Sequence, residues 1–457
     1  MAVAGYPRQV TPIEELRAEL PDGRLLTDAD VVEAYRRDEA RFVEPGRPLG
    51  VVLAADVTDV QTTLRWATRH QLPVVARGAG TGLSGGAAAI ENGIVLSLIK
   101  MNAIVEVNVD DQLAVVEPGV INADLQRAAA EHGLMYAPDP ASFEISTIGG
   151  NIATNAGGLR CVKYGVTREA VLGLEVVLAD GRRLNTGHRT VKGVAGYDLT
   201  ALFVGSEGTL GIVTQATLKL RPKPTTDPVT IVGVFATLPA AGDAVNDVMR
   251  AGLQPSLLEL MDNATIRAVD DWKHIGLDRS AAAMLIAQVD VEHPREPAVA
   301  IEKAFAAAGA TYTAVSTDAT EAAELLGVRR MTHWAIERLG LILTEDVAVP
   351  RSKLAQMLAR LEEIGREFDV VIATVGHAGD GNLHPSIVVD SDRAQPAAEA
   401  VYTAALALGG TITGEHGVGS LKRDWLPAEL GEVSMHVHRA LKATFDPLGI
   451  LNPGKAI

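Results

Sequence analysis

Cysteine is all but missing: Cys161 is the single one in 457 residues. No internal disulfide can form, and a reducing compartment suits such a chain. Long uncharged stretches are missing too. No run of eighteen residues lacks an acidic or basic side chain, which argues against a membrane-spanning helix. Met1–Arg8 carries no apolar stretch of the secretory kind. Basic charge is short, with 41 Lys and Arg against 57 Asp and Glu and a net charge of −16. Phosphate backbones need a basic face, so no nucleic-acid partner is expected. An anionic substrate must then be held by a locally placed cation or metal. A cytoplasmic location is expected, with peripheral membrane association left open. Tandem repeats and low-complexity segments are absent. Hydrophobic residues make up 47% and charged residues 21%, enough apolar content for a sizeable core and too much for a disordered chain. The length implies two or three domains.

Residues 1–50 read as helical and charged. Val51–Ala55 reads as a buried strand, and Thr58 with Gln61 as a capping box opening a helix with Val57, Val60, Leu64 and Ala67 on one face. Strands follow at Pro73–Ala76, Ile94–Leu98 and Leu113–Glu117, then a helix capped by Asn122 that ends near His132-Gly133. Val171–Ala179 and Arg182–Thr186 flank Asp180-Gly181 as a hairpin. Arg221-Pro222-Lys223-Pro224 reads as a linker. Beyond it, strands at 229–236, 281–289, 311–316, 341–347, 370–375 and 386–389 alternate with helices near 239–251, 294–308, 318–339, 352–368 and 393–408. This is an α+β layer with helices on one sheet. Helices resume from Asp424, before a Leu451–Lys455 tail.

Glycine is abundant, at 44 residues. Five of the ten residues from Arg77 to Gly86 are glycine. Such a loop can turn its amides inward and approach a pyrophosphate closely, or it can be merely a tight turn. Its spacing is not the G-x-G-x-x-G that opens a Rossmann helix, so NAD is disfavoured. A second block, Thr147–Gly158 behind Pro138-Asp139-Pro140-Ala141-Ser142, buries little apolar area and exposes amides and small polar groups. Two such loops suggest a long dinucleotide ligand.

Three histidines fall in two glycine-framed motifs, Gly376-His377-Ala378-Gly379-Asp380-Gly381-Asn382-Leu383-His384 and Gly414-Glu415-His416-Gly417. Two imidazoles and a carboxylate make a divalent site with open positions, and ordinary loop histidines would read the same way. Arg329 and Arg330 could grip a carboxylate bidentately or lie on a solvated helix face.

Arg77-Gly78-Ala79-Gly80-Thr81-Gly82, Ile148–Gly158, Gly196-Tyr197-Asp198-Leu199 and Val204–Ile212 together resemble the vanillyl-alcohol-oxidase-like FAD flavoproteins. Within them the chain resembles the D-lactate dehydrogenase and glycolate oxidase FAD-subunit branch of the FAD-linked oxidases, over nearly its whole length. The resemblance implies a two-part PCMH-type FAD-binding domain at 1–222, an inserted α+β cap domain at 223–412 and a C-terminal helical segment, 413–457, returning to the FAD domain. It implies FAD contacts from Arg77, Gly78, Ala79, Gly80, Thr81, Gly82, Ser84 and Gly85, from Pro138, Asp139 and Ser142, from Thr147, Gly150, Asn151, Ala153, Thr154, Asn155, Gly157 and Gly158, and from Glu207, Ile212 and Asn452. Thr81 stands where covalent members carry histidine, and Cys161 lies outside the attachment positions, so the FAD is expected to be non-covalent.

The same resemblance makes His377, His384 and Glu415 ligands of zinc or manganese, and His416 the catalytic base. It makes Arg329 the substrate-carboxylate arginine and puts His333 at the substrate. Relatives that oxidise D-2-hydroxyglutarate carry Lys, Thr and Asn where Thr344, His333 and Ser386 stand. A second carboxylate would therefore lack its cation. The expected reaction is oxidation of a small monocarboxylate D-2-hydroxy acid, D-lactate or glycolate, to the 2-oxo acid. Electrons would pass to a quinone, an electron-transfer flavoprotein or a cytochrome, and a homodimer is compatible. The alternatives are a D-2-hydroxyglutarate-type dehydrogenase and a non-catalytic FAD-binding subunit of a glycolate oxidase complex. A non-redox alkyl-transferring flavoenzyme ranks lower, since its consecutive histidines are missing. Lys192, Tyr197 and Lys422 sit beside these motifs and are as well explained structurally.

Overall fold

The computed structural model describes residues 11–389 and 392–457; the Met1–Arg8 reading lies outside them. Among the described residues before Gly50, Pro12–Glu19 and Ala29–Ala34 are helical and the rest is mostly irregular. The apolar runs Gly50–Leu53, Val74–Arg77 and Ile94–Ser97 then pair in parallel, with Ile94–Ser97 between the other two, and Leu25–Leu26 adds an antiparallel edge strand to Gly50–Leu53. Helix Val57–His70 makes the crossover between the first two of these strands. Its cap is Asp56, whose Oδ1 accepts the Thr58 and Asp59 amides, and not Thr58. A second sheet, antiparallel, orders Ile104–Asn108, Leu113–Val116, Ile212–Lys219, Val171–Val177 and Arg183–Gly187. The Val171 and Arg183 strands form the expected hairpin. Asn122 lies inside the helix Asn122–Ala130 and does not cap it; its side chain donates instead to Pro138 O and Asn151 Oδ1. The 221–224 segment is not a free linker. Arg221–Pro222 pairs antiparallel with Leu134–Met135, and the Lys223 amide donates to Gly133 O.

From Val229 the chain builds an eight-stranded antiparallel sheet, in the order Ala310–Ser316, Val229–Phe235, Ala283–Val289, Leu257–Asp262, Ile372–His377, Asn382–Val388, Ile342–Thr344, with Val347–Ala348 also on Asn382–Val388. Side chains alternate between its faces. Ile231, Leu258, Leu260, Leu285 and Ala287 pack with residues of the helices Leu238–Arg250, Arg295–Ala307, Leu354–Glu367 and Ala394–Ala407. Leu257, Met261, Met284, Ile286, Ala373 and Val375 point the other way. They meet Ile266 and Val269 of Asn263–Lys273, Leu326 of Ala319–Arg330, Ile336 of Thr332–Glu337, and Leu159 from the first half of the chain. The helix expected over 318–339 is thus broken at Met331, where the Thr332 hydroxyl donates to the Arg329 carbonyl. The chain returns at its far end: Leu451 bridges to Val74, and Lys442 donates to Thr209 O and Leu451 O. Among the described residues no helix is long and apolar enough to cross a membrane.

Candidate active site

His377 ends one strand of the large sheet and His384 lies on the next, across a short turn closed by Gly381 at φ 79°. The register pairs Val375 with His384 and His377 with Asn382, so both imidazoles share the face turned toward the first half of the chain. A hairpin, more than a loose glycine turn, brings them together. Glu415 and His416 arrive on the loop after Thr411. Asp346, fully buried, fixes that loop: its Oδ2 accepts the Glu415 and His416 amides, each at 2.8 Å, and the Thr413 hydroxyl at 2.9 Å. Glu415 Oε1 then lies 3.0 Å from His377 Nε2 and 3.2 Å from His384 Nε2. Its Oε2 accepts the Gly157 amide at 2.8 Å.

The two Nδ1 atoms are backed by buried carboxylates. Glu259 Oε1 is 2.9 Å from His377 Nδ1, and Asp346 Oδ1 is 3.4 Å from His384 Nδ1. Burial alone would depress both imidazoles, but these carboxylates with Glu415 lift both above the usual range, His377 well above it. Burial would likewise raise Glu415, yet the two imidazoles hold it well below the usual carboxylate range. His416 behaves oppositely: burial pushes it down to about 4, with Asp346 offsetting only part. Its ring stacks on His384 at 4.8 Å, and its Nδ1 is buried without a hydrogen-bond partner. At neutral pH it is an uncharged base. Donor atoms of His377, His384 and Glu415 lie within 4.8 Å of one another, as do those of Asp346, His384 and His416. Two imidazole nitrogens facing one carboxylate oxygen, each imidazole backed by an acceptor, is a donor set that fits a divalent ion.

The cluster faces a cavity of about 570 Å³ walled on its other side by both glycine blocks. A Cβ at Gly78 would collide with Thr147 Oγ1, and one at Gly86 would lie 3.1 Å from Glu207 Oε2, so the loops meet more closely than larger residues permit. This cradle fits a long dinucleotide. Of the residues expected at FAD, Arg77, Gly78, Ala79, Gly80, Thr81, Gly82, Ser84, Ser142, Thr147, Gly150, Asn151, Ala153, Thr154, Glu207 and Ile212 line the cavity. Gly85, Pro138, Asp139, Asn155, Gly157, Gly158 and Asn452 do not line it. Asn452 donates to Gly86 O and Glu207 O, and Asp139 accepts the Arg160 amide. Gly157 donates to Glu415 instead, a contact no sequence spacing announces. Arg77 donates to Arg37 O beneath its own loop.

Arg329 is buried in the cavity wall, not on a solvated face, with Nε 2.8 Å from Glu259 Oε2. Exposed Arg330 lies over the Phe143 ring at the mouth. His333 is also at the mouth, its side chain 42% exposed and 3.6 Å from Glu337. Thr344 and Ser386 share a hydroxyl–hydroxyl contact of 3.1 Å within the wall. Lys422 is buried away from it on the carbonyls of Asp346 and Ile412, while Lys192 and Tyr197 are exposed elsewhere. Sequence reasoning missed Glu259 and the bracing role of Asp346. The available signal was a lone acid in the apolar run Leu257-Leu258-Glu259-Leu260-Met261, since a charge there must be paired.

Residues 225–456 match the family described as "FAD linked oxidases, C-terminal domain", and residues 48–187 match "FAD binding domain". The chain is 43% identical over 445 residues to the glycolate oxidase subunit GlcD of Bacillus subtilis (strain 168), covering 95% of this chain and 92% of that protein. It is 38% identical over 435 residues to the D-lactate dehydrogenase of Archaeoglobus fulgidus, covering 93% and 96%. It is 34% identical over 466 residues to the D-2-hydroxyglutarate dehydrogenase of Stutzerimonas stutzeri, covering 97% and 98%. Among solved structures, p-cresol methylhydroxylase with substrate bound shares the fold, with a TM-score of 0.81 at 18% identity over 97% of this chain and 96% of that one.

Proposed function

The chain belongs to the PCMH-type FAD-linked oxidases and is an FAD-dependent hydroxyacid dehydrogenase, and from that premise we propose that it oxidises a small monocarboxylate D-2-hydroxy acid, D-lactate or glycolate, to the 2-oxo acid with the help of a divalent ion. The observation that carries this reading is the convergence of His377, His384 and Glu415 beside uncharged His416, across one cavity from the glycine blocks. Residues 1–222 and 413–457 would hold FAD non-covalently, and 223–412 would form the cap over the substrate.

FAD, when bound, supplies the two-electron acceptor for the hydrogen leaving Cα, and zinc or manganese on His377, His384 and Glu415 would polarise the substrate's oxygens. The chain's own groups do the rest. The Arg329 guanidinium, ion-paired through Nε with Glu259 and donating from Nη1 to the Thr332 hydroxyl, would offer its Nη2 group to the substrate carboxylate. His416 accepts the hydroxyl proton as the carbon becomes a carbonyl. Thr344 and Ser386 give the far wall hydroxyls but no cation, which disfavours a second carboxylate. The D preference rests on the likeness to the D-lactate dehydrogenase relative, and a non-NAD electron acceptor on the first glycine loop, which lacks the G-x-G-x-x-G spacing. The single cysteine supports a cytoplasmic location.

Anaerobic stopped-flow reduction of the bound flavin tests this without the natural acceptor. D-lactate, glycolate or D-2-hydroxybutyrate should reduce it fastest. Faster reduction by D-2-hydroxyglutarate would overturn the monocarboxylate assignment, and faster reduction by L-lactate the stereochemical one.

A further inference from the structure

We propose that Glu259 is a positioning residue that ties the metal-binding and carboxylate-binding halves of the site into one ionic unit. The inference rests on the divalent-ion reading above and deepens it.

Glu259 lies in the middle of the strand Leu257–Asp262, on the same face as Leu257 and Met261, and is 1% exposed. An acid on an apolar face is tolerable only when its charge is matched. Two groups match it. His377 Nδ1 is 2.9 Å from Oε1 and 3.0 Å from Oε2, and Arg329 Nε is 2.8 Å from Oε2. The pairing Leu260–Gly376 and Met261–Val375 continues to put Glu259 directly opposite His377, so the backbone sets the first contact. The second reaches Arg329 at the end of the helix Ala319–Arg330.

A carboxylate can only accept, so the shared proton sits on Nδ1 of His377. That leaves Nε2, 3.0 Å from Glu415, as the nitrogen available to an ion. The same carboxylate lies against Nε of the Arg329 guanidinium, Nη1 donates to the Thr332 hydroxyl, and Nη2 is left to the cavity wall. His384 has only a longer contact of this kind, its Nδ1 3.4 Å from Asp346 Oδ1, and Asp346 also accepts three hydrogen bonds from the 413–416 loop. Among the described residues the side-chain partners of Glu259 are the imidazole and the guanidinium, and both reach the cavity. Its direct contacts therefore both lead into the site.

The test uses the FAD-loaded full chain and Mn²⁺, with free Mn²⁺ followed by electron paramagnetic resonance. Glu259→Gln keeps the volume and removes the charge. It should weaken Mn²⁺ binding roughly 10- to 100-fold, the usual effect of losing an outer partner of a ligating histidine. It should also raise the D-lactate concentration needed for half-maximal flavin reduction, with FAD content unchanged. A purely structural residue would move thermal stability and leave the Mn²⁺ dissociation constant alone. If wild type binds Mn²⁺ and Glu259→Gln binds it equally well, this proposal falls and the metal reading stands. If wild type binds no stoichiometric Mn²⁺ or Zn²⁺, both fall. Should Glu259→Gln lose its flavin or fail to fold, Glu259→Asp carries the same measurement: it keeps the charge but shortens the reach, and is expected to bind Mn²⁺ at least tenfold more weakly. Wild-type affinity in that variant would equally refute the proposal.

Discussion

Adding one methyl group at Gly157 should unseat Glu415. The Gly157 amide donates to Glu415 Oε2 at 2.8 Å, and a Cβ built on Gly157 would lie 2.6 Å from that same oxygen. Ordinary van der Waals contact begins near 3.4 Å, so the carboxylate would have to retreat by about 0.8 Å (3.4 − 2.6). Retreat breaks a hydrogen bond to a charged group, worth about 1.5–3 kcal/mol. It also draws Oε1 away from His377 and His384, now at 3.0 and 3.2 Å. At about 1.4 kcal/mol per decade, Gly157→Ala should lower divalent-ion affinity roughly 10- to 150-fold. Gly157 lies outside the cavity wall, so FAD content should not change. Competition against a fluorescent chelator gives the ion affinity, and the visible flavin absorbance gives the occupancy. An ion affinity within twofold of wild type would show that Glu415 does not depend on this brace. Loss of flavin with the ion retained would assign Gly157 to the cofactor instead.

His416→Asn should lower flavin reduction by D-lactate about 10²- to 10⁴-fold while FAD stays bound, the usual range for removing a general base; unchanged reduction would take His416 out of the mechanism. Asp262 accepts the Thr265 and Thr374 amides, yet burial pushes its carboxyl up from 3.8 to about 6. The folded state holds that proton more tightly than the unfolded chain, so its contribution is full below pH 3.8 and is lost as pH rises through about 6. Urea titrations of Asp262→Asn should lack that part of the slope, on the order of 3 kcal/mol, and a stability–pH curve parallel to wild type would refute the assignment. Burial pushes the Cys161 thiol far up, so iodoacetamide followed by mass spectrometry should label it slowly in the native protein and fully in guanidinium. Acid precipitation should leave intact FAD in the supernatant, since Thr81 offers no attachment point; flavin in the pellet would contradict this.

The parts legible in the sequence were those with a local signature. Glycine clusters announced the loops, and the motifs at 376–384 and 414–417 announced the cluster, because glycine there admits backbone approaches that other residues block. The strand Ile212–Lys219 was missed although its alternating burial matches its alternating side chains. Leu257–Asp262 was hidden for a different reason. It is buried on both faces, so no alternation marks it, and the charge of Glu259 interrupts an otherwise apolar run. Its partners, His377 and Arg329, lie 118 and 70 positions away, by subtraction of residue numbers, and no local spacing rule reaches that far. The Gly157–Glu415 brace fails the same way across 258 positions.

The first glycine loop is also finished from a distance. Asn452 donates to Gly86 O and Lys455 to Gly86 O and Ala88 O, across 366 to 369 positions of chain. During synthesis at about 5–20 residues per second, that loop therefore waits roughly 20 to 70 seconds for its last supports. Over that interval Ala87 already donates to Asp38 Oδ2 and Ala89 to Arg36 O, while the Gly86 and Ala88 carbonyls still wait for their donors. Tight FAD uptake becomes a late event, timed by the arrival of the 452–455 segment and not by the folding of the loop itself.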